Sequence, residues 1–124
     1  MAKARMTAIV DDHLPQTDAT LEFRDSYPPF APTEGNRRLL GMFDEVSRDL
    51  GFGPVTAVDP RRAGAADVSF TMGRVAMALD GLGTGGGNDH TVDEWIDVHT
   101  LAMQAKRAAV LMRRLQRDWD DETR

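Results

Sequence analysis

Five glycines fall within seven residues, Gly81 to Gly87, and neither a helix nor a strand interior runs comfortably through such a stretch. Without a Cβ, glycine takes backbone conformations closed to other residues, and it lets backbone N–H groups approach whatever the loop faces. The apolar run Ala78, Leu79 precedes this loop; Asn88, Asp89 and His90 follow it; acidic and apolar residues then intermingle from Val92 to Asp97. A histidine placed just after a glycine loop can reach into the same cavity. Taken alone, the pattern fits a solvated or structural histidine as well as a site, because the side chain serves many purposes near neutral pH.

Around this loop the chain divides by periodicity. Residues 1 to 14 read as a short amphipathic helix with Met6, Ile9 and Val10 on one face and His13 at its edge, stopped by Pro15. From Asp18 to Arg24 the residues alternate, Ala19, Leu21 and Phe23 on one face, which is the clearest strand signal in the chain. Three prolines in Asp25 to Thr33 then exclude helix or central strand and mark an extended connection between domains. Leu39, Phe43, Val46 and Leu50 follow at spacings of four, three and four, predicting a helix over 36–50 capped by Thr33 or Asn36 and ended by Gly51. Its charged residues, Asp44 and Asp49 among them, read as a wet face.

Beyond that helix, Val55 to Val58 predicts a short strand, and Arg61 and Arg62 in the next loop carry guanidinium forks suited to a carboxylate, although surface arginines are commoner than anion clamps. Val68 to Met72 alternates like a strand, but a helix starting near Asp67 is preferred, with Arg74 to Leu79 as the strand entering the glycine loop. Leu101, Ala105, Ala108, Met112, Leu115 and Trp119 define the longest helix, over 100–119, with arginines toward its C-terminal end as the helix dipole prefers. His99 at its start reads as structural.

A chain of 124 residues suits one ordinary domain, and 41% hydrophobic with 28% charged residues argues for a globular protein rather than a disordered one. A net charge of −5 gives no general attraction to nucleic acid or to an anionic membrane, and aromatic residues make up only 6% of the chain, too few to suggest base-stacking platforms. No cysteine is present, so there is no disulfide framework, thiolate ligand or thiol nucleophile, which is compatible with the cytoplasmic location we expect. Neither a leader peptide nor an apolar run of membrane-spanning length is expected.

The motifs, taken in order, carry a resemblance. Asp80-Gly-Leu-Gly83, Gly85-Gly-Gly87, His90, Thr91, Asp93-Glu94, Trp95, Ile96 and Asp97 resemble the closing motif of the di-zinc metallopeptidases that include glutamate carboxypeptidase, acetylornithine deacetylase, succinyl-diaminopimelate desuccinylase and the aminoacylases. The likeness extends upstream through Tyr27-Pro-Pro-Phe-Ala-Pro-Thr33, Gly35-Asn36 and Gly64-Ala-Ala-Asp67, and so covers nearly the whole chain. In one place the sequence departs: Asn88 and Asp89 both separate the triple glycine from His90, where the family pattern has a single residue.

The resemblance implies an α/β fold, the C-terminal part of a zinc-exopeptidase-like catalytic domain with a mixed sheet and flanking helices. It would be preceded by the last helix and strand of an α+β lid domain. Residues 1–27 would belong to the lid or dimerisation domain, 28–120 to the catalytic domain and 121–124 to a tail. By the same resemblance His90 is the last ligand of a site holding two zinc ions, and the backbone N–H groups of Gly85, Gly86 and Gly87 receive the carboxylate of a small peptide or N-acyl amino acid. The other ligands and the general base precede the lid in that family. No catalytic residue is therefore expected in this chain, which would be inactive alone in amide hydrolysis and bind zinc weakly or not at all. A polypeptide carrying the N-terminal half, or a second copy of the chain, is the expected partner. The alternative is a non-catalytic remnant acting as a protein-interaction or carboxylate-binding module.

Overall fold

The computed structural model describes residues 1–59 and 64–122, with side chains described as far as Asp118. Arg61 and Arg62 lie outside the described residues. The chain forms helix α1 (Ala2–Asp11), helix α2 (Glu34–Asp49), a 3-10 turn (Asp67–Thr71), the two-residue strands β1 (Gly86–Gly87) and β2 (Trp95–Ile96), and helix α3 (His99–Glu122).

The predicted capping of α2 is present in full. Thr33 Oγ1 accepts the N–H of Asn36 at 3.2 Å, satisfying a donor that the first helical turn leaves without a partner. At the other end Gly51 takes φ +76°. Phe52 N–H then donates to Ser47 O and Gly51 N–H to Arg48 O, both at 2.9 Å, the paired closure that a left-handed glycine after a helix permits. Ser47, fully buried, adds a 2.6 Å hydrogen bond from its hydroxyl to Gly53 O.

Leu39, Phe43 and Val46 of α2 pack against Leu111 of α3, with Val110 and Leu115 beside them, and this cluster is the hydrophobic core. The face α3 turns to that core is offset from the stripe its sequence predicts. Leu111 and Arg107 are buried, whereas Leu101 and Met112 remain 59% and 64% exposed. A helix buries the side its neighbour occupies, and among the described elements α2 is the one helix packed on α3. Across the same interface Arg114 pairs with Asp49 at 2.7 Å, so Asp49 is not simply part of a wet face.

Neither is Asp44. Its carboxylate accepts the Val55 N–H at 2.6 Å and the Arg48 Nε–H at 2.9 Å, holding the segment after the α2 turn back against the helix. The backbone hydrogen bond from Val55, aided by Arg48, keeps the Asp44 carboxyl below its ordinary pKa.

Among the described residues β1 and β2 form a single two-stranded antiparallel ladder. The predicted strands 18–24, 55–58 and 74–79 join no ladder, and residues 67–71 form a 3-10 turn rather than an α-helix. Alternation alone specifies a face and not a partner, and a strand exists only where a second backbone supplies hydrogen bonds. Helix α1 forms where expected but buries no residue: Met6 and Ile9 are exposed, and its tie to the rest is Lys3, paired with Asp25 and lying 5.5 Å from the centre of the Phe23 ring. No helix among the described residues is long and apolar enough to cross a membrane.

Candidate functional site

The start of α2 positions the segment that leads into the glycine loop. Asn36 Nδ2 donates to Ala31 O at 2.9 Å, and Asn36 Oδ1 accepts the Ala78 N–H at 2.8 Å. One buried side chain thus joins the proline-rich connection to the approach of the loop. Beside it, a Cβ on Gly35 would lie 2.0 Å from Ala76 O, so only glycine admits this crossing of backbones. Tyr27 Oη donates to Asp67 at 2.9 Å and its ring rests against Phe70, centroids 5.0 Å apart, which fixes the connection to the 3-10 turn. That bond to the carboxylate raises the Tyr27 pKa.

The glycine loop folds back as a minimal hairpin. Gly86 stands opposite Ile96 and Gly87 opposite Trp95, and Asp97 N–H donates to Gly85 O at 2.7 Å. Gly86 is sterically obligatory, since a Cβ there would lie 2.4 Å from Trp95 O, whereas one on Gly87 would press at 3.1 Å on the Trp95 indole, which would have to give by a few tenths of an ångström. The three predicted N–H donors are not equivalent. Gly85 N–H is taken by Thr100 Oγ1 at 2.7 Å. By the alternation of an antiparallel ladder, Gly86, one residue from the bonded Gly85 and Asp97 pair, directs its N–H away from β2, whereas Gly87 lies in the next hydrogen-bonded register.

Between β1 and β2 the chain turns through two non-glycine residues of positive φ. Asn88 and His90 have φ of +59° and +65°, an uncommon region for non-glycine residues that Asn and His tolerate better than most. Thr91 closes the turn, its N–H and hydroxyl both bonded to Asn88 O at 3.2 and 2.8 Å, and Asn88 Nδ2 reaches Asp93 O at 3.3 Å. His90 sits at the tip, exposed, its imidazole without a hydrogen-bond partner among the described residues. The hairpin then runs into α3 through Asp97, whose carboxylate accepts His99 N–H at 3.0 Å and whose carbonyl accepts the Thr100 hydroxyl at 2.6 Å.

Among the described residues there is no group of three or more His, Asp or Glu side chains able to hold a metal ion. The other two histidines have local settings: His13 Nδ1 is 3.3 Å from Leu14 O, and His99 opens α3 with its N–H on the Asp97 carboxylate. A groove of about 730 Å³ runs between the Tyr27–Pro32 connection, Val55–Val58 and Ala78–Gly81, meeting the loop at its beginning but not at Gly85, Gly86, Gly87 or His90.

The functional side chains that sequence reasoning missed are on α3. Gln104 Nε2 donates to Gly83 O at 2.7 Å and reaches Gly81 O at 3.4 Å, fixing the first half of the loop. A single glutamine on a helix carries no sequence signal for this; its position one turn after Thr100, which also binds the loop, becomes informative only once the loop is known to lie over α3.

With this geometry in place, the comparison with protein families is decisive at the level of class: residues 4–115 match the peptidase family M20/M25/M40, and the chain belongs to that family. It is a family of metallopeptidase and amidohydrolase type. No curated protein and no solved structure matches the chain.

Proposed function

We propose that this chain supplies the closing segment of a zinc-dependent amidohydrolase site, the part that carries the last metal ligand and the substrate-carboxylate loop of an α/β catalytic domain with a mixed sheet. The observation that carries this reading is His90, presented bare at the tip of a hairpin whose glycines leave a backbone donor, Gly86 N–H, on the free edge. In the reaction class of the family an amide of a peptide or N-acyl amino acid is hydrolysed, and zinc supplies Lewis-acid activation of the attacking water.

A catalytic zinc needs about three protein ligands. The described residues of this chain do not fit a complete zinc site, so no step is assigned to metal held by this chain alone. Its own contributions are narrower. His90 offers an imidazole nitrogen as one donor, Gly86 N–H offers a hydrogen bond to an anionic oxygen, and Asp97 and Thr100 hold the hairpin in place for both. The remaining ligands and the general base come from polypeptide outside these residues, and strands 18–24, 55–58 and 74–79 become true strands when that polypeptide pairs with them.

Calorimetric titration with zinc tests this reading, on the chain alone and on the chain mixed with a polypeptide bearing an HxD ligand motif and the general base. Tight binding that needs both components and disappears with His90→Ala is expected. Equal binding by wild type and His90→Ala, or none in the mixture, would overturn it.

A further inference from the structure

Arg107 is a buried cation with no counter-ion among the described residues. The residue is 7% exposed, and no carboxylate among the described residues lies within ion-pair distance of it. Nη1 donates to Gln104 Oε1 at 3.1 Å, Nη2 donates to Phe52 O at 3.3 Å, the guanidinium lies 5.5 Å from the centre of the Phe52 ring, and Nε is buried with no partner among the described residues. Burying an arginine with an orphaned N–H is unfavourable compared with an apolar residue of similar volume, so stability of the α2 and α3 packing does not by itself account for it.

The bonds form one directed relay. The positive guanidinium donates to the Gln104 amide oxygen; the amide nitrogen of the same group donates to Gly83 O; and Gly83 O belongs to the peptide unit whose N–H is that of Thr84. Each hydrogen bond in such a chain polarises the next, which makes the last N–H a better donor toward an anion. Thr84 N–H has no partner among the described residues. At its other end the relay is fixed to Phe52 O, just past the closure of α2, so the loop is referenced to the core and not to its own flexible glycines.

We infer that Arg107, acting through Gln104, is a positioning residue for the glycine loop: it sets where the Gly81 and Gly83 carbonyls lie and polarises the Gly83–Thr84 peptide toward an anionic ligand. This deepens the function proposed above, on which it rests for the loop's role, but its test uses neither zinc nor turnover and so fails or succeeds separately.

The test is amide NMR with hydrogen exchange on the full chain, comparing Arg107→Met, which keeps volume and removes charge, with Gln104→Met, which cuts the relay and leaves Arg107 in place. Both are expected to move the Thr84 amide proton upfield and to speed exchange of the Gly85 amide by about tenfold, since that amide is held by Thr100 only while the loop keeps its place. The double variant is expected to go no further than either single one, as for two members of one chain of bonds. A residue that only fills space would leave Thr84 unmoved in Arg107→Met. Unchanged Thr84 in Gln104→Met, which guards against a folding defect at the buried site, or additive effects in the double variant, would overturn the inference.

Discussion

Asn36 Oδ1 accepts the Ala78 N–H at 2.8 Å across 42 positions of sequence, while the amide nitrogen of the same side chain donates to Ala31 O. Asn36→Ala leaves a buried donor and an acceptor without partners, a loss of about 1–3 kcal/mol. Asn36→Asp keeps the acceptor for Ala78 but loses the donor to Ala31, and is expected to fall between the two. Urea unfolding of the three proteins measures the order.

Gly35 and Gly41 lie in the same helix and predict opposite outcomes. A Cβ on Gly35 would strike Ala76 O at 2.0 Å, whereas one on Gly41 meets nothing within 4 Å. Gly35→Ala is therefore expected to destabilise by about 1–3 kcal/mol through overpacking. Gly41→Ala is expected to stabilise by about 0.5–1 kcal/mol through reduced backbone entropy in the unfolded chain. Thermal melts showing the same sign for both would refute the crossing of the Ala76 backbone over α2.

Asp44 gives stability a pH dependence of known sign. Its folded-state pKa lies below the ordinary carboxylate value because Val55 N–H and Arg48 bond the charged form. The contribution is accordingly present above the unfolded pKa and is lost as pH falls through the lower, folded one. The stability gap between wild type and Asp44→Asn should be constant near neutrality and close on acidification below about pH 4. A gap that widens in acid would contradict the assignment.

Gly86→Ala probes the hairpin. The added methyl group collides with Trp95 O at 2.4 Å, so β1 and β2 must separate. Loss of the cross-strand Hα contact between Gly86 and Ile96, with the resonances of Leu39, Phe43 and Leu111 unchanged, is the expected NMR result. In a complemented enzyme the same variant should weaken binding of a carboxylate substrate, because the outward Gly86 N–H would no longer be held on the free edge.

Local signals gave the helices and the loop because their causes are local. Thr33 three residues before Asn36, the four-three-four apolar spacing and Gly51 at the end each act within a turn of α2. The glycine run weakens helix and long strand through backbone entropy, so that only the two-residue strand Gly86–Gly87 forms in it, and the ordered motifs that follow identify the family before any coordinate is known. His90 was legible as a candidate for the same reason, being one residue at a fixed distance from a motif.

Long-range relationships had no such trace. Whether 18–24, 55–58 and 74–79 are strands depends on partner backbones, and whether α3 buries Leu101 or Leu111 depends on where α2 lies. Asp44 and Asp49 read as solvated charges until Val55 and Arg114 came to them, and the contacts of Gln104 with the loop and of Arg107 with Phe52 leave no signature in the sequence. The sequence by itself determined the helices, the glycine loop and the family. Only the tertiary structure decided which loop amides are free and what holds them, because a hydrogen bond between residues far apart in sequence has no period to read.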